Sequence, residues 1–179
     1  MIYGGFEVLK DRGEMIKFLF CCGLIEERVS NAYRSLASRV DDVVAKILLE
    51  YIADDSLKHS KILLGVSNHL GVRDVDLEEC RKIVGSTAIH IMEDAEKVIA
   101  GENKVSIEKI ISEFDNLIDL ERYFGEEYFN MIQLKLLISL LESEKIELGL
   151  LKEVLEYIIE DERRHEKILQ AIKMYASQK

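Results

Sequence analysis

Two thirteen-residue stretches of this chain nearly repeat one another. Tyr51 to Leu63 reads YIADDSLKHSKIL and Tyr157 to Leu169 reads YIIEDERRHEKIL, with seven positions identical at a constant offset of 106 residues. Each copy sets a histidine, His59 or His165, on the apolar face that helical periodicity defines. In the second copy Glu162 stands three residues before His165, so a carboxylate and an imidazole share one helix face. Hard carboxylate oxygens with one imidazole suit Fe or Mn and leave coordination positions open for a small oxidant.

Four apolar seams are interrupted in this way. Leu148, Leu151, Leu155, Ile158, Leu169 and Ile172 alternate in three- and four-residue steps, and Glu162 and His165 occupy the missing steps. Ala45, Leu49, Ile52, Leu63, Val66 and Leu70 form a second seam, interrupted by Ser56 and His59. A third, from Leu117 and Leu120 through Phe124, Met131, Leu134 and Ile138 to Leu141, is broken by Glu127. The fourth, Ile16, Leu19, Gly23, Ser30, Tyr33, Ala37 and Val40, leaves Glu26 as its inward polar position. A buried, uncompensated carboxylate costs roughly several kcal/mol, so these acids need partners, and cations are the simplest.

The elements that position these residues follow from turn signals. Helix A is expected over about 12–39, helix B over 42–70 with a stop at Leu70-Gly71, a third helix over 76–100 ending at Gly101, helix C over 106–142 with Gly125 a candidate bend, and helix D over 148–177. Short A–B and C–D connections predict two antiparallel hairpins joined by a long crossover that carries the extra helix. Glu26 and Ser56 both lie 15 residues from an A–B turn near 41, and Glu127 and Glu162 lie 18 and 17 residues from a C–D turn near 145, so the interruptions of each hairpin come level.

Composition sets the frame. The 179 residues are 48% hydrophobic and 32% charged with no proline, which predicts one all-α domain spanning 1–179. A net charge of −10 argues against nucleic acid and acidic membrane surfaces as partners. Lys17 and Lys135 break the longest apolar runs well short of the about 18 residues of a membrane span. Three cysteines without a CxxC pair predict no disulfide framework; Cys21 and Cys22 read as small apolar residues of a packed helix, with a redox pair as the alternative. Together with the lack of a signal-peptide pattern, this predicts a cytoplasmic protein in a reducing compartment.

A Glu on each of two helices with Glu-x-x-His on each of the other two is the ligand pattern of the ferritin-like di-iron carboxylate bundles, and the chain resembles them. Glu162-Arg163-Arg164-His165 matches one such motif fully. Glu26 with Tyr33 seven residues later, in IEERVSNAYRSLA, looks like the first helix of the rubrerythrin branch, and Glu127 is similar to the third-helix ligand. The resemblance covers helices A to D, about three-quarters of the chain. It implies a ferritin-like four-helix bundle holding two iron ions, or one, with Mn as the alternative metal. It further implies Fe(II) oxidation coupled to reduction of hydrogen peroxide or dioxygen, with Glu162 bridging, His59 and His165 terminal, and Tyr33 and Tyr128, or Tyr123, donating a proton or electron. Rubrerythrins carry a rubredoxin segment that this chain lacks, so a separate electron donor protein is implied, as is a homodimer.

The first motif departs from the pattern: Ser56-Leu57-Lys58-His59 lacks its glutamate. Asp55 is a candidate substitute ligand, or with its repeat mate Asp161 it orients the histidines from behind. The competing reading is a degenerate bundle with one metal or none, serving as a structural or partner-binding protein. Against it, a decayed site would be expected to shed its buried charges. Three choices stay open: Glu27 for Glu26, Glu126 for Glu127, and His90 with Glu93 as additional ligands. His69 reads as a helix-end residue facing the dipole.

Overall fold

The computed structural model describes residues 12–101, positions 104, 106, 107, 117, 118 and 121, and residues 148–178. Regular structure among them is helical: α1 (Arg12–Arg39), α2 (Val43–His69), α3 (Leu77–Ile99) and α4 (Leu148–Ala176). These correspond to expected helices A, B, the third helix and D, with ends within one residue. Ile107, Leu117, Ile118 and Glu121 are helical and buried, but most of expected helix C, including Gly125, lies outside the described residues.

Local chemistry explains the ends. Asp42 caps α2, its Oδ1 accepting from the backbone N–H groups of Val44 and Ala45 at 3.0 Å each. Asp76 caps α3 by accepting from Glu79 N at 2.8 Å. Beyond α2, Val72 N donates to Ser67 O and Gly71 N to Asn68 O, the paired bonds of a Schellman stop, and Gly71 supplies the left-handed residue at φ 99°. The expected third helix is interrupted: Gly85 takes φ 82° and ψ 172°, so α3 is two helical pieces across a kink.

The chain divides into two compact units, one of residues up to Ser35 with Ala53–Gly101, the other of Leu36–Ile52 with residues from Glu102 onward. In the first unit α2 runs antiparallel to α1. Ser30 Oγ donates to Ala53 O at 2.7 Å, and Arg34 pairs with Asp54 at 2.8 Å. Gly23 is the close-approach point, where a Cβ would stand 2.7 Å from Leu64 Cγ and 3.2 Å from Leu64 N. Gly23→Ala is therefore expected to overpack this face. The clash costs about 1–3 kcal/mol, against a helix-propensity gain of about 1 kcal/mol. The expected net result is a lower urea midpoint, and a raised midpoint would refute the close packing.

Helix α3 lies parallel to α1. Lys17 pairs with Glu79, Arg28 with Glu96 at 3.2 Å, and Ser35 Oγ donates to Val98 O at 3.2 Å. This pairing also joins Cys21 to Cys80 in a disulfide, with Cα atoms 5.5 Å apart. The expectation of no disulfide is thereby corrected. The partners are 59 residues apart on helices whose parallel pairing leaves no spacing signature in the sequence. Cys22 lies outside the disulfide and is buried, as a small apolar residue would be. Disulfides persist in oxidising compartments and inside hyperthermophiles, so unpaired cysteines no longer support a reducing cytoplasm. Among the described residues, no helix is long and apolar enough to cross a membrane.

The second unit packs the start of α2 antiparallel to α4. Tyr175 OH donates to Asp42 Oδ2 at 3.3 Å at one end, and Arg164 Nη1 donates to Tyr51 OH at 3.2 Å further along. Leu49, Ile52, Leu155, Ile158, Leu169 and Ile172 form its core with Ile107, Leu117 and Ile118. Ionisable side chains buried beside such a core are the exception to explain.

Candidate metal centre

Each unit buries one histidine of the repeat beside a glutamate from another segment. In the first, His59 of α2 has Nδ1 3.7 Å from Oε1 of Glu26 on α1, both side chains at most 2% exposed. The α1–α2 register that pairs Ser30 with Ala53 carries Glu26 to the level of His59. Glu27 is exposed. Ser56, one turn before His59, is buried, and its Oγ has no hydrogen-bond partner among the described residues.

In the second unit, Nδ1 of His165 lies 3.2 Å from Oε2 of Glu121 and 3.8 Å from Oε2 of Glu162. One donor atom from each of the three lies within 4.8 Å of the others, and all three residues are buried. Ligands about 2.1 Å from one ion would stand roughly 3–4 Å apart, so this spacing suits one cation with little movement. Electrostatics point the same way. Burial, followed by the neighbouring Glu162 charge, pushes the Glu121 carboxyl up to about 8, with His165 opposing the rise. A divalent cation would relieve both causes.

Glu121 is the residue that the sequence reading missed. Leu117 and Ile118, four and three residues before it, share its buried face, and that spacing was the available signal. The seam through Leu117, Leu120 and Phe124 was instead followed to Glu127. Glu127, with Glu126, Tyr123 and Tyr128, lies outside the described residues.

The remaining candidates fall as follows. Tyr33 is wholly buried in the core of the first unit. Asp55 is buried and ion-paired with Lys58, and it belongs to neither His–Glu group. Its repeat mate Asp161 pairs with Arg164 at 2.5 Å. Arg164 in turn donates to Tyr51 OH, and the Tyr51 ring meets His165 edge-on at 6.4 Å between centroids and 85° between planes. Asp161 is thus linked to His165 through an arginine and a tyrosine. His90 is exposed and 3.5 Å from Glu93, and His69 ends α2 in solvent.

The chain matches no family model, no curated protein and no solved structure. The ferritin-like resemblance is therefore carried by its residues alone. What they provide chemically is buried carboxylate and imidazole in a setting that ordinarily excludes charge, a donor set that could hold a metal ion.

Proposed function

We propose that the chain is a ferritin-like metal-binding protein of the rubrerythrin-like kind that binds up to two iron ions, with Mn as the alternative, and oxidises Fe(II) while hydrogen peroxide or dioxygen is reduced. The observation that carries this reading is the buried trio Glu121, Glu162 and His165 with its donor atoms within 4.8 Å. Glu26 and His59 supply further buried ligands. Bound iron supplies one-electron redox chemistry and open coordination positions. The residues hold the ion, and the surrounding apolar core keeps bulk water from it. Tyr51 fixes the plane of the His165 imidazole, and Arg164 anchors the Tyr51 hydroxyl. Electrons for repeated turnover come, in this reading, from a separate donor protein.

The test is anaerobic loading with Fe(II) followed by rapid mixing with hydrogen peroxide or with dioxygen, monitored by ferric absorbance. Wild type is expected to oxidise faster than iron in buffer alone, with His165→Ala slowed by about 100-fold or more, since even residues that merely orient ligands are worth about 10–100-fold. Oxidation at the buffer rate by wild type would leave the degenerate reading, which Ser56 favours: a bundle holding one ion or none that serves a structural or partner-binding role.

A further inference from the structure

Helix α3 is held to α1 in different ways on the two sides of its kink. Gly85, at φ 82° and ψ 172°, divides it into a first piece, residues 77–84, and a second, 86–99. The second piece is tied near its end: Glu96 pairs with Arg28 at 3.2 Å, Ala95 is buried, and Ser35 Oγ donates to Val98 O at 3.2 Å. The first piece is tied to α1 by the Cys21–Cys80 disulfide and by the partly exposed Lys17–Glu79 pair, which contributes little. Cys80 and Val84 are its buried side chains, with Val75 just ahead of it, whereas Leu77, Glu78, Arg81 and Lys82 are exposed.

A helical piece running only from 77 to 84 is too short to persist in water without tertiary support. It is also bounded by two glycines that can turn. Gly71, at φ 99°, follows α2 and Gly85 precedes the second piece, and a Cβ at either would meet nothing within 4 Å. Residues 72–84 can therefore leave α1 by rotation at these two positions, with α2 and the second piece staying in place. The disulfide opposes this, because it ties the middle of the piece covalently to α1 and is itself buried, with Cys21 1% and Cys80 3% exposed.

We propose that residues 72–84 are a redox-controlled latch, held on α1 while the Cys21–Cys80 bond is intact and released by local unfolding between Gly71 and Gly85 when the bond is reduced. A dithiol reductant opens the bond by thiol–disulfide exchange, leaving Cys21 and Cys80 as thiols and itself becoming a disulfide. Hydrogen peroxide closes it. One thiol becomes a sulfenic acid with release of one water, and the other thiol displaces a second water as the S–S bond forms. Release uncovers Cys80, so the open latch is the form that meets the oxidant, and the closed latch shields the bond it has formed. The device is independent of metal binding and stands whether or not the buried glutamates and histidines hold an ion.

The experiment compares the full chain before and after treatment with dithiothreitol, by limited trypsin digestion and by hydrogen exchange. Reduced protein is expected to be cut after the exposed Arg81 and Lys82 about tenfold faster or more, with amides of 77–84 losing protection. Cleavage after Lys97 in the second piece, and after Lys58 and Lys61 in α2, should not accelerate. Hydrogen peroxide added after the reductant is removed should restore resistance at Arg81 and Lys82. Cys80→Ser, in which the bond cannot form, should behave as the reduced chain under both conditions, which decides the matter even where the buried bond resists the reductant. Cleavage at Arg81 and Lys82 no faster in Cys80→Ser than in the oxidised wild type would overturn the proposal. So would protection lost throughout α1 and α2, or a Cys80→Ser chain that does not fold, because the bond would then hold the whole unit and not a latch. Resistance that peroxide does not restore would overturn the closing step.

Discussion

Metal-free protein is expected to lose stability as the pH is raised from about 5 to about 8, and divalent metal is expected to reverse the loss. The cause is Glu121, whose carboxyl is lifted from an ordinary 4.5 to about 8 by burial and by the Glu162 charge beside it. Between those values the folded chain keeps a proton that the unfolded chain has released. The stabilisation is therefore complete below 4.5 and is lost as the pH climbs through about 8. One proton of difference corresponds to about 1.4 kcal/mol per pH unit, so the summed effect is on the order of a few kcal/mol. A cation binds the ionised carboxylate, so metal affinity should rise across the same interval and binding should release a proton. Urea midpoints at several pH values, with chelator and with Mn(II), measure this. The chelated protein should fall steeply, the Mn(II) protein much less, and Glu121→Gln should flatten the chelated curve. A flat curve for the chelated wild type would show that Glu121 is not buried beside Glu162 as described.

Opening the Cys21–Cys80 bond is expected to have the other large effect. The bond closes a 59-residue separation, for which the chain-entropy account gives about 4 kcal/mol. The other polar ties between α1 and α3 are weak by comparison. Lys17–Glu79 and Arg28–Glu96 are roughly half exposed, and such pairs are worth about 0–1 kcal/mol each. A Cys21→Ser, Cys80→Ser chain, made in a Cys22→Ala background to prevent thiol exchange, should unfold at markedly lower urea. Amides of α3 should lose hydrogen-exchange protection first. A change below about 1 kcal/mol would mean that burial of Val84 and Ala95 holds α3 without the disulfide.

The features that the sequence made legible are those written locally. Asp42, Asp76 and the Leu70-Gly71 stop are short-range signals, and the helix ends they mark fall within a residue of expectation. Glu26, Glu162, His59 and His165 were visible because each interrupts a regular apolar seam. Long-range pairing was not legible. Nothing local says that α3 lies parallel to α1, so the disulfide was missed although both cysteines were in view. Gly85 was passed over because the helix over 76–100 was drawn from the turn signals at its ends, and a single glycine inside a helical stretch does not announce a positive φ. Glu121 was lost to a choice between two adjacent helix faces, one running through Leu120 and the other through Ile118. Asp161 was read as a residue that supports His165 from behind; the Arg164 and Tyr51 that link the two, one of them on another helix, were not legible in the local sequence.

The central claim is that the buried acids and histidines exist to hold metal. It is tested most directly by the metal content, by mass spectrometry, of protein purified without chelator and reconstituted anaerobically with Fe(II), beside a Glu162→Ala, His165→Ala double variant. The account predicts about two ions per wild-type chain, as in carboxylate bundles of this ligand pattern, and a marked loss in the variant. Wild-type protein without bound metal, or a variant that retains the full wild-type content, would contradict it.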